Sequence, residues 1–238
     1  MLTLVRTALP ASEPITLDQA YAHLRMPSSG LKIIGYPTSG PIAIAPSQDD
    51  YVTALITAAR EYCEAETNRA FINQSWRLSL DYFPYYGAIT TRQVSNITTF
   101  ALGLWTEFLT INIPVPHLQS IDSVTYIDSC GNTQTIDPGA YIVDLDSEPA
   151  RICPVPNTYW PYPSLYRPNT VQINFTCGWG PDATTVPLGV QQAMLMLISH
   201  WYWNRDAVVQ GQYGPIPMAV DALLAPYKVI SFGFNHVG

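Results

Sequence analysis

The chain has 238 residues, of which 47% are hydrophobic and only 12% are charged, and its net charge is −7. This hydrophobic content is enough for one large or two small folded domains and excludes a chain that is disordered throughout. The acidic balance argues against tight nucleic-acid binding through phosphate contacts. So low a content of charged residues indicates that other proteins cover much of the surface. The alternative is a stable, secreted, β-rich protein whose surface is polar but uncharged.

The four cysteines, at positions 63, 130, 153 and 177, have no CxxC pair and no histidine at ligand spacing. We therefore predict no zinc site, and a reduced cytosolic compartment fits best. The N-terminus is too short and interrupted for the apolar region of a signal peptide, and no stretch is apolar for long enough to span a membrane. The sequence predicts a soluble protein that is not exported.

Two helices are predicted near the N-terminus. Thr16 and Gln19 form a capping box that begins a helix over residues 16–26. Residues 27–47 include four prolines and three glycines, which indicates an extended loop. Apolar residues then recur every three or four positions, so a second, amphipathic helix is predicted over residues 47–68.

The middle of the chain, residues 74–180, is predicted to be rich in strands because apolar and polar residues alternate there. The predicted strands cover residues 74–81, 109–113, 118–127, 133–136, 140–145 and 170–177. Residues 129–132, with the sequence Ser-Cys-Gly-Asn, predict a hairpin turn between the third and fourth of these strands.

A long helix is predicted over residues 187–209, with Pro187 suited to its first turn. This helix is apolar nearly all round, so it needs a core on one side and a second surface on the other. We expect another subunit to provide that second surface.

The predicted fold class is α+β, in which helices within residues 12–70 and the long C-terminal helix pack with an antiparallel, strand-rich middle region. Residues 1–210 form the predicted body. A linker rich in glycine and proline then leads into a docking arm, and together they cover residues 211–238. The predicted docking residues of the arm are Met218, Val220, Leu223, Leu224 and Tyr227.

Three acidic residues two positions apart, Asp144, Asp146 and Glu148, are the most conspicuous charged group. They share one face if the segment is extended. A calcium loop does not fit, because Pro149 stands where glycine is needed and Val155 stands where a bidentate glutamate is needed. The pattern favours a solvated acidic turn.

No sequence motif requires catalysis, and no catalytic residue, metal ligand or cofactor is predicted. The four histidines lie in unlike contexts, and the nucleophile elbow, the phosphate loop and the dinucleotide fingerprint are absent. A hydrolase with dispersed carboxylates, such as Glu107 with Asp122, stays open. A carbohydrate- or receptor-binding β-rich module also stays open, and its stacking residues would be Trp160, Tyr159, Tyr162 and Tyr166.

Short segments along most of the chain form a series with a characteristic order and spacing. They are residues 13–20, 23–25, 49–50, 58–61, 67–70, 74–81, 83–84, 116–128, 131, 137–138, 141, 167–169, 178, 200–202, 204–205 and 222–227. In that order and spacing the segments resemble the head-tail connector (adaptor) proteins of tailed bacteriophages and of related gene-transfer particles. The stretches from 27 to 47 and from 85 to 108 depart from that resemblance.

The resemblance implies a structural virion protein without enzymatic activity. Such proteins assemble in the bacterial cytoplasm into a ring, commonly twelvefold, at the head-tail junction or neck. The ring binds the portal protein on one side and a stopper or tail-completion protein on the other. Genomic DNA passes through it without specific binding, and no membrane is involved. The expectation that follows is that the arm docks on the portal and that Asp144, Asp146 and Glu148 line the DNA conduit.

Overall fold

The computed structural model describes residues 2–26, 48–84, 109–163, 167–204 and 218–229. The chain forms two compact units, each built from two separate stretches of sequence. The β unit comprises Met1–Pro10 and Asn73–Gly178, and the helical unit comprises Ala11–Ile72 and Trp179–Gly238. The two units therefore meet along the sequence after residues 10, 72 and 178. The division into a body over 1–210 and an arm over 211–238 stays a prediction.

In the described part of the β unit, the strands form two antiparallel sheets. A five-stranded sheet has the order β1-β2-β8-β4-β5, and a three-stranded sheet has the order β3-β7-β6. The strands are β1 (Leu2–Ala8), β2 (Gln74–Leu80), β3 (Ile111–Asn112), β4 (Leu118–Ile127), β5 (Thr133–Thr135), β6 (Tyr141–Asp144), β7 (Arg151–Pro154) and β8 (Val171–Cys177).

The larger sheet has one apolar face and one polar face, because successive side chains of a strand point to opposite sides. In β8 the alternate residues Val171, Ile173 and Phe175 are fully buried, whereas Gln172 and Asn174 are only half-buried. The alternation of apolar and polar residues in the β8 sequence therefore matches the alternation of buried and half-buried side chains in the structure.

The hairpin predicted at residues 129–132 is confirmed between β4 and β5. The side chain of Asp128 accepts hydrogen bonds from the backbone N–H groups of Cys130 and Asn132, both at 2.9 Å. Gly131 adopts φ of 87°, in the left-handed region that favours glycine. The turn is thus fixed by Asp128, which precedes the four-residue sequence, and by Gly131 within it.

The described part of the helical unit contains four helices that share one apolar core. They are α1 (Leu17–Leu24), α2 (Gln48–Thr67), α3 (Leu188–Trp203) and α4 (Met218–Leu224). The capping box of α1 is confirmed, since Thr16 accepts from the Gln19 backbone and the Gln19 side chain accepts from the Thr16 backbone. The α1 and α2 bounds agree with the predicted helices, and the α+β fold class is confirmed.

The long helix predicted over 187–209 corresponds to α3, with Pro187 at its N-cap. It ends at Trp203, and residues 205–209 lie outside the described residues. Its buried side faces the core through six residues. These are Val190, Ala193, Met194, Leu197, Ile198 and Tyr202.

Candidate functional site

The predicted docking residues lie in α4 and in the 3-10 turn that follows it, Ala225–Tyr227. Val220 and Leu224 are fully buried in the core of the helical unit, and Leu223 and Tyr227 pack against that core while remaining half-buried. The side chain of Met218 lies outside the described residues. Val220 and Leu224 therefore hold α4 to its own unit and are not available to another protein in this conformation.

Hydrogen bonds and ring contacts fix the end of this segment. Arg69 donates from Nε to the backbone oxygen of Tyr227 at 2.7 Å, and the Val229 N–H donates to the Thr67 carbonyl at 3.1 Å. The Tyr227 ring meets Trp179 edge-on at 5.8 Å between centroids. The segment is thus an ordered part of the helical unit.

A close approach to a glycine adds to this packing. A Cβ on Gly189, in the first turn of α3, would lie 3.3 Å from the Tyr227 hydroxyl oxygen. The absence of a side chain at Gly189 lets the Tyr227 ring lie against the helix backbone. The side of α4 that faces outward is formed by Ala219, Asp221 and Ala222.

Asp144 ends strand β6, and Asp146 and Glu148 lie at exposed positions in the turn that leads to β7. Asp144 accepts hydrogen bonds from the backbone N–H groups of Asp146 (3.1 Å) and Ser147 (3.3 Å), and from the Ser147 hydroxyl at 2.7 Å. Arg151 donates to the same carboxylate from Nη2 at 2.6 Å and from Nε at 3.1 Å. Asp144 therefore organises the turn.

The hydrogen bonds from Ser147 and then Arg151 lower the pKa of Asp144 to about 2. Glu148 lies 3.4 Å from the imidazole Nε2 of His117, and Asp146 is exposed at the tip of the turn. Because Arg151 neutralises one carboxylate, this turn carries a net charge close to −2 at neutral pH rather than −3.

The aromatic residues proposed for sugar stacking do not form one exposed platform. Trp160 is only 6% exposed, stacks on Phe83 at 5.0 Å between ring centroids, and donates from Nε1 to the Leu109 carbonyl at 2.6 Å. Tyr159 and Tyr162 are exposed, and Tyr166 lies outside the described residues. Trp160 is a core residue of the β unit, so the platform lacks its largest member.

Of the carboxylate pair considered for hydrolysis, only Asp122 lies among the described residues. Asp122 accepts hydrogen bonds from the hydroxyls of Ser120 (2.8 Å) and Thr176 (3.1 Å) on the larger sheet, and Glu107 lies outside the described residues. Among the described residues, no three His, Cys, Asp or Glu side chains are grouped so that they could hold a metal ion. No helix in the described ranges is long and apolar enough to cross a membrane.

Sequence reasoning gave no role to Arg60, which is 2% exposed and makes the main ion pairs of the helical unit. Its guanidinium pairs with Glu13 through Nε and with Glu64 through Nη1, at 2.8 and 2.9 Å. Arg60 and Glu64 are four residues apart on α2, a spacing that predicts an ion pair between them on a helix. No local signal pointed to Glu13, because it precedes a different helix.

Solved structures similar to this chain come from gene transfer agent (GTA) particles. One is the neck of an empty GTA particle computed with C6 symmetry, with a TM-score of 0.66 and 18% identity over 98% of both chains. A second is the virion of a native GTA particle, with a TM-score of 0.66 and 17% identity over 98% of both chains. No protein-family model and no curated protein sequence matches the chain.

A third similar structure is the neck of a native GTA particle computed with C12 symmetry. Its TM-score is 0.54 and its identity 18%, over 77% of this chain and 85% of the other. At these identities the likeness establishes the fold. The chain has the fold of a gene-transfer-agent neck protein along nearly its whole length, which confirms at the level of fold the resemblance found in the sequence.

Proposed function

We propose that this chain is a structural protein of the neck of a tailed-phage or gene-transfer-agent particle. The observation that carries the proposal is a fold match covering 98% of both this chain and a chain of the GTA neck. Because fold alone does not fix function, the proposal also depends on the surface chemistry of the chain.

We propose that the protein acts by assembly and not by catalysis. Only 12% of its residues are charged, which suits a subunit that buries much of its surface against neighbours. The neck structures that contain similar chains were computed with C6 and C12 symmetry, which supports a ring of identical subunits. We propose that this ring has twelve subunits. The partners in this proposal are the portal protein on one side and a stopper or tail-completion protein on the other.

The C-terminal segment is our proposed contact with the portal. In this proposal, α4 is fixed on the helical unit by Val220 and Leu224, which are fully buried, and by Tyr227, which packs over Gly189. The outward side of α4, with Ala219, Ala222 and half-buried Leu223, is then the surface offered to the partner. Met218 begins the same helix.

The acidic turn is our proposed border of the DNA conduit. Asp144 shapes the turn, and Asp146 and Glu148 at exposed positions supply its net negative charge. Repeated around a ring, these charges would repel phosphate over about 8 Å at physiological salt, so that DNA passes without binding.

Electron microscopy of the purified protein, alone and mixed with its portal protein, tests the function. We expect rings that dock coaxially on the portal, with one subunit of this chain for each portal subunit in a twelvefold assembly. A protein that remains unassembled and leaves the portal unchanged, or that binds a glycan instead, would contradict the neck assignment. Labelling the protein in intact particles provides a second test, because the label must lie at the head-tail junction.

A further inference from the structure

His117 lies beside the acidic turn between β6 and β7. Its Nε2 is 3.4 Å from Oε1 of Glu148, and the two side chains are exposed to similar extents, 38% and 40%. This separation is within the range of an ion pair, but an imidazole is charged only when it is protonated. The contact therefore changes in kind as His117 gains or loses a proton.

The backbone holds His117 in position for this contact. The residue adopts φ of 55°, in the left-handed region that few residues other than glycine adopt. Its carbonyl accepts a hydrogen bond from the Gly178 N–H at 3.0 Å. The next residue, Leu118, is buried and pairs with Cys177 of β8. Because such a conformation persists only where the surrounding structure fixes it, the imidazole is presented from a defined backbone at the start of β4.

Glu148 also lies on ordered backbone. Two residues after it, the Ala150 carbonyl accepts a hydrogen bond from the Ile113 N–H at 2.8 Å, which ties the end of the turn to the segment that leads to His117. The beginning of the turn is held by the hydrogen bonds that Asp144 accepts. The turn and the start of β4 are therefore each fixed, and the two side chains meet between them.

Several other titratable groups lie on the elements around this contact. Asp144 of the turn is paired with Arg151 of β7. Asp122 of β4 accepts hydrogen bonds from two hydroxyls, and Cys177 at the end of β8 is fully buried. Asp146, at the tip of the turn, is exposed. It is a carboxylate of the same turn with which the effect of Glu148 can be compared.

We propose that His117 and Glu148 form a pH-sensitive contact that ties the acidic turn to the start of β4. A histidine ordinarily titrates near pH 6.5. Below that pH the imidazolium attracts the Glu148 carboxylate, and the turn is held against the segment that carries His117. Above it the imidazole is neutral and this attraction is lost.

The same proton changes the charge of the turn. Asp144 is paired with Arg151, so Asp146 and Glu148 supply a remaining charge of about −2. Protonated His117 compensates one of these charges. The consequence for DNA rests on the proposed function, because it requires that the turn border the conduit. In that setting the ring repels DNA less strongly below about pH 6 than at neutral pH.

An NMR titration tests the contact in the unassembled protein. The histidine ring signals and the backbone amides of Ser147 and Glu148 are followed from about pH 5 to about pH 8, on both sides of the ordinary histidine value. In the wild-type protein the turn amides should shift with the same midpoint as the His117 ring. In Glu148→Gln the midpoint of the ring should fall by at least about 0.3 pH units, because the carboxylate no longer favours the protonated form.

Two matched variants complete the titration. Asp146→Asn removes one charge from the same turn and should lower the midpoint by less than half as much as Glu148→Gln does. His117→Asn removes the titrating group while asparagine tolerates the left-handed backbone, so the transition of the turn amides should disappear. An equal fall in Glu148→Gln and Asp146→Asn, no fall in either, or a transition that persists in His117→Asn would overturn the inference.

Filter binding of DNA to assembled rings tests the consequence separately. Acidification from about pH 7.5 to about pH 5.5 should raise DNA retention at least about twofold more in wild-type rings than in His117→Asn rings. Equal increases would contradict the effect on the conduit, even where the titration supports the contact. A protein that forms no rings would contradict the neck assignment, and the titration would still decide between presence and absence of the contact.

Discussion

Glu13 and Arg60 form an ion pair of 2.8 Å between residues 47 positions apart in the sequence. Arg60 is almost completely buried, and its Nη1 donates to Glu64 at 2.9 Å. Burial disfavours the charge on Arg60, but the carboxylates of Glu64 and Glu13 outweigh it and raise the pKa of the guanidinium. The second oxygen of Glu64 accepts from the Phe71 backbone N–H at 3.0 Å, so this cluster joins three segments of the helical unit.

Replacing Arg60 is predicted to destabilise the helical unit. Arg60→Met removes the positive charge but leaves the Glu64 carboxylate largely buried, so the free energy of unfolding should fall by about 3 kcal/mol. Chemical denaturation measures the change. The matched control is Glu61→Gln on the same helix, whose half-exposed side chain should change stability by less than about 0.5 kcal/mol. Equal stability of both variants would show that the cluster is not a stabilising element.

Acid is predicted to release the turn between β6 and β7 at an unusually low pH. The pKa of Asp144 is about 2 in the folded protein, below the value of about 3.9 for an unfolded aspartate. The ionised Asp144 carboxylate therefore stabilises the folded protein fully above about pH 4, and this stabilisation is lost as the pH falls through about 2. A carbon-detected NMR titration of the Asp144 carboxyl measures this directly. Arg151→Gln should raise that pKa, and an Asp144 pKa near 4 in the wild-type protein would contradict the hydrogen-bonded turn.

The sequence predicts well those elements whose signals are local. The capping box at Thr16 and the strand of residues 118–127 agree with the structure because each depends on neighbouring residues. Strand β1 was not predicted, since Leu2–Ala8 becomes a strand by pairing with β2, which begins at Gln74. Pairing over such a distance leaves no mark in a short sequence window.

The candidate sites show a similar limit. The sequence of a short helix indicates that its apolar residues will be buried. It does not indicate whether they are buried in their own unit or against another protein. Val220 and Leu224 appeared suited to docking on another protein and are instead buried in their own unit. Trp160 lies in a segment rich in proline and tyrosine that resembles a surface platform, and only the stack on Phe83 reveals it as a core residue.

The two sides of α4 are predicted to respond differently to substitution. Leu224→Ala leaves a cavity in the core and should lower the free energy of unfolding by about 2–5 kcal/mol. Deletion after residue 210 should likewise destabilise the helical unit, because it also removes Val220. Ala222→Glu, on the outward side, should leave the Tm unchanged.

The Ala222→Glu protein is then the test of portal docking. We expect its affinity for the portal to fall at least about tenfold, or roughly 1.4 kcal/mol, when measured by biolayer interferometry. Ala65→Glu on the exposed side of α2 introduces the same charge elsewhere in the helical unit and is the control. If both variants bind the portal as tightly as the wild-type protein, α4 is not the docking surface.

Trp160 is predicted to matter for stability and not for sugar binding. Trp160→Ala removes the stack on Phe83 and the hydrogen bond to Leu109, and should lower the free energy of unfolding by about 3–5 kcal/mol. Tyr159→Ser and Tyr162→Ser, at exposed positions, should change it by less than about 0.5 kcal/mol. Glycan-array binding by the wild-type protein that disappears in the two tyrosine variants would instead support the carbohydrate-binding alternative.

The exposed carboxylates of the acidic turn are predicted to keep DNA from binding to the assembled ring. Asp144 should be retained in the test, because its hydrogen bonds to Ser147 and Arg151 hold the turn together. Changing Asp146 and Glu148 to lysine reverses two charges per subunit without removing that scaffold. In a ring the reversal would create a basic collar that attracts phosphate instead of repelling it.

Particles carrying this double variant should assemble normally, eject their genome more slowly than wild-type particles, and yield rings that bind DNA with strong salt dependence. The control is Asp18→Lys with Glu61→Lys in the helical unit, which makes the same change in net charge at exposed positions away from the turn. Fluorescence measurement of DNA release and filter binding at two salt concentrations compare the variants. Normal ejection and no DNA retention in the turn variant, or the same retention in the control, would show that the acidic turn does not border the conduit. The neck assignment would then rest on the ring and its portal contact alone.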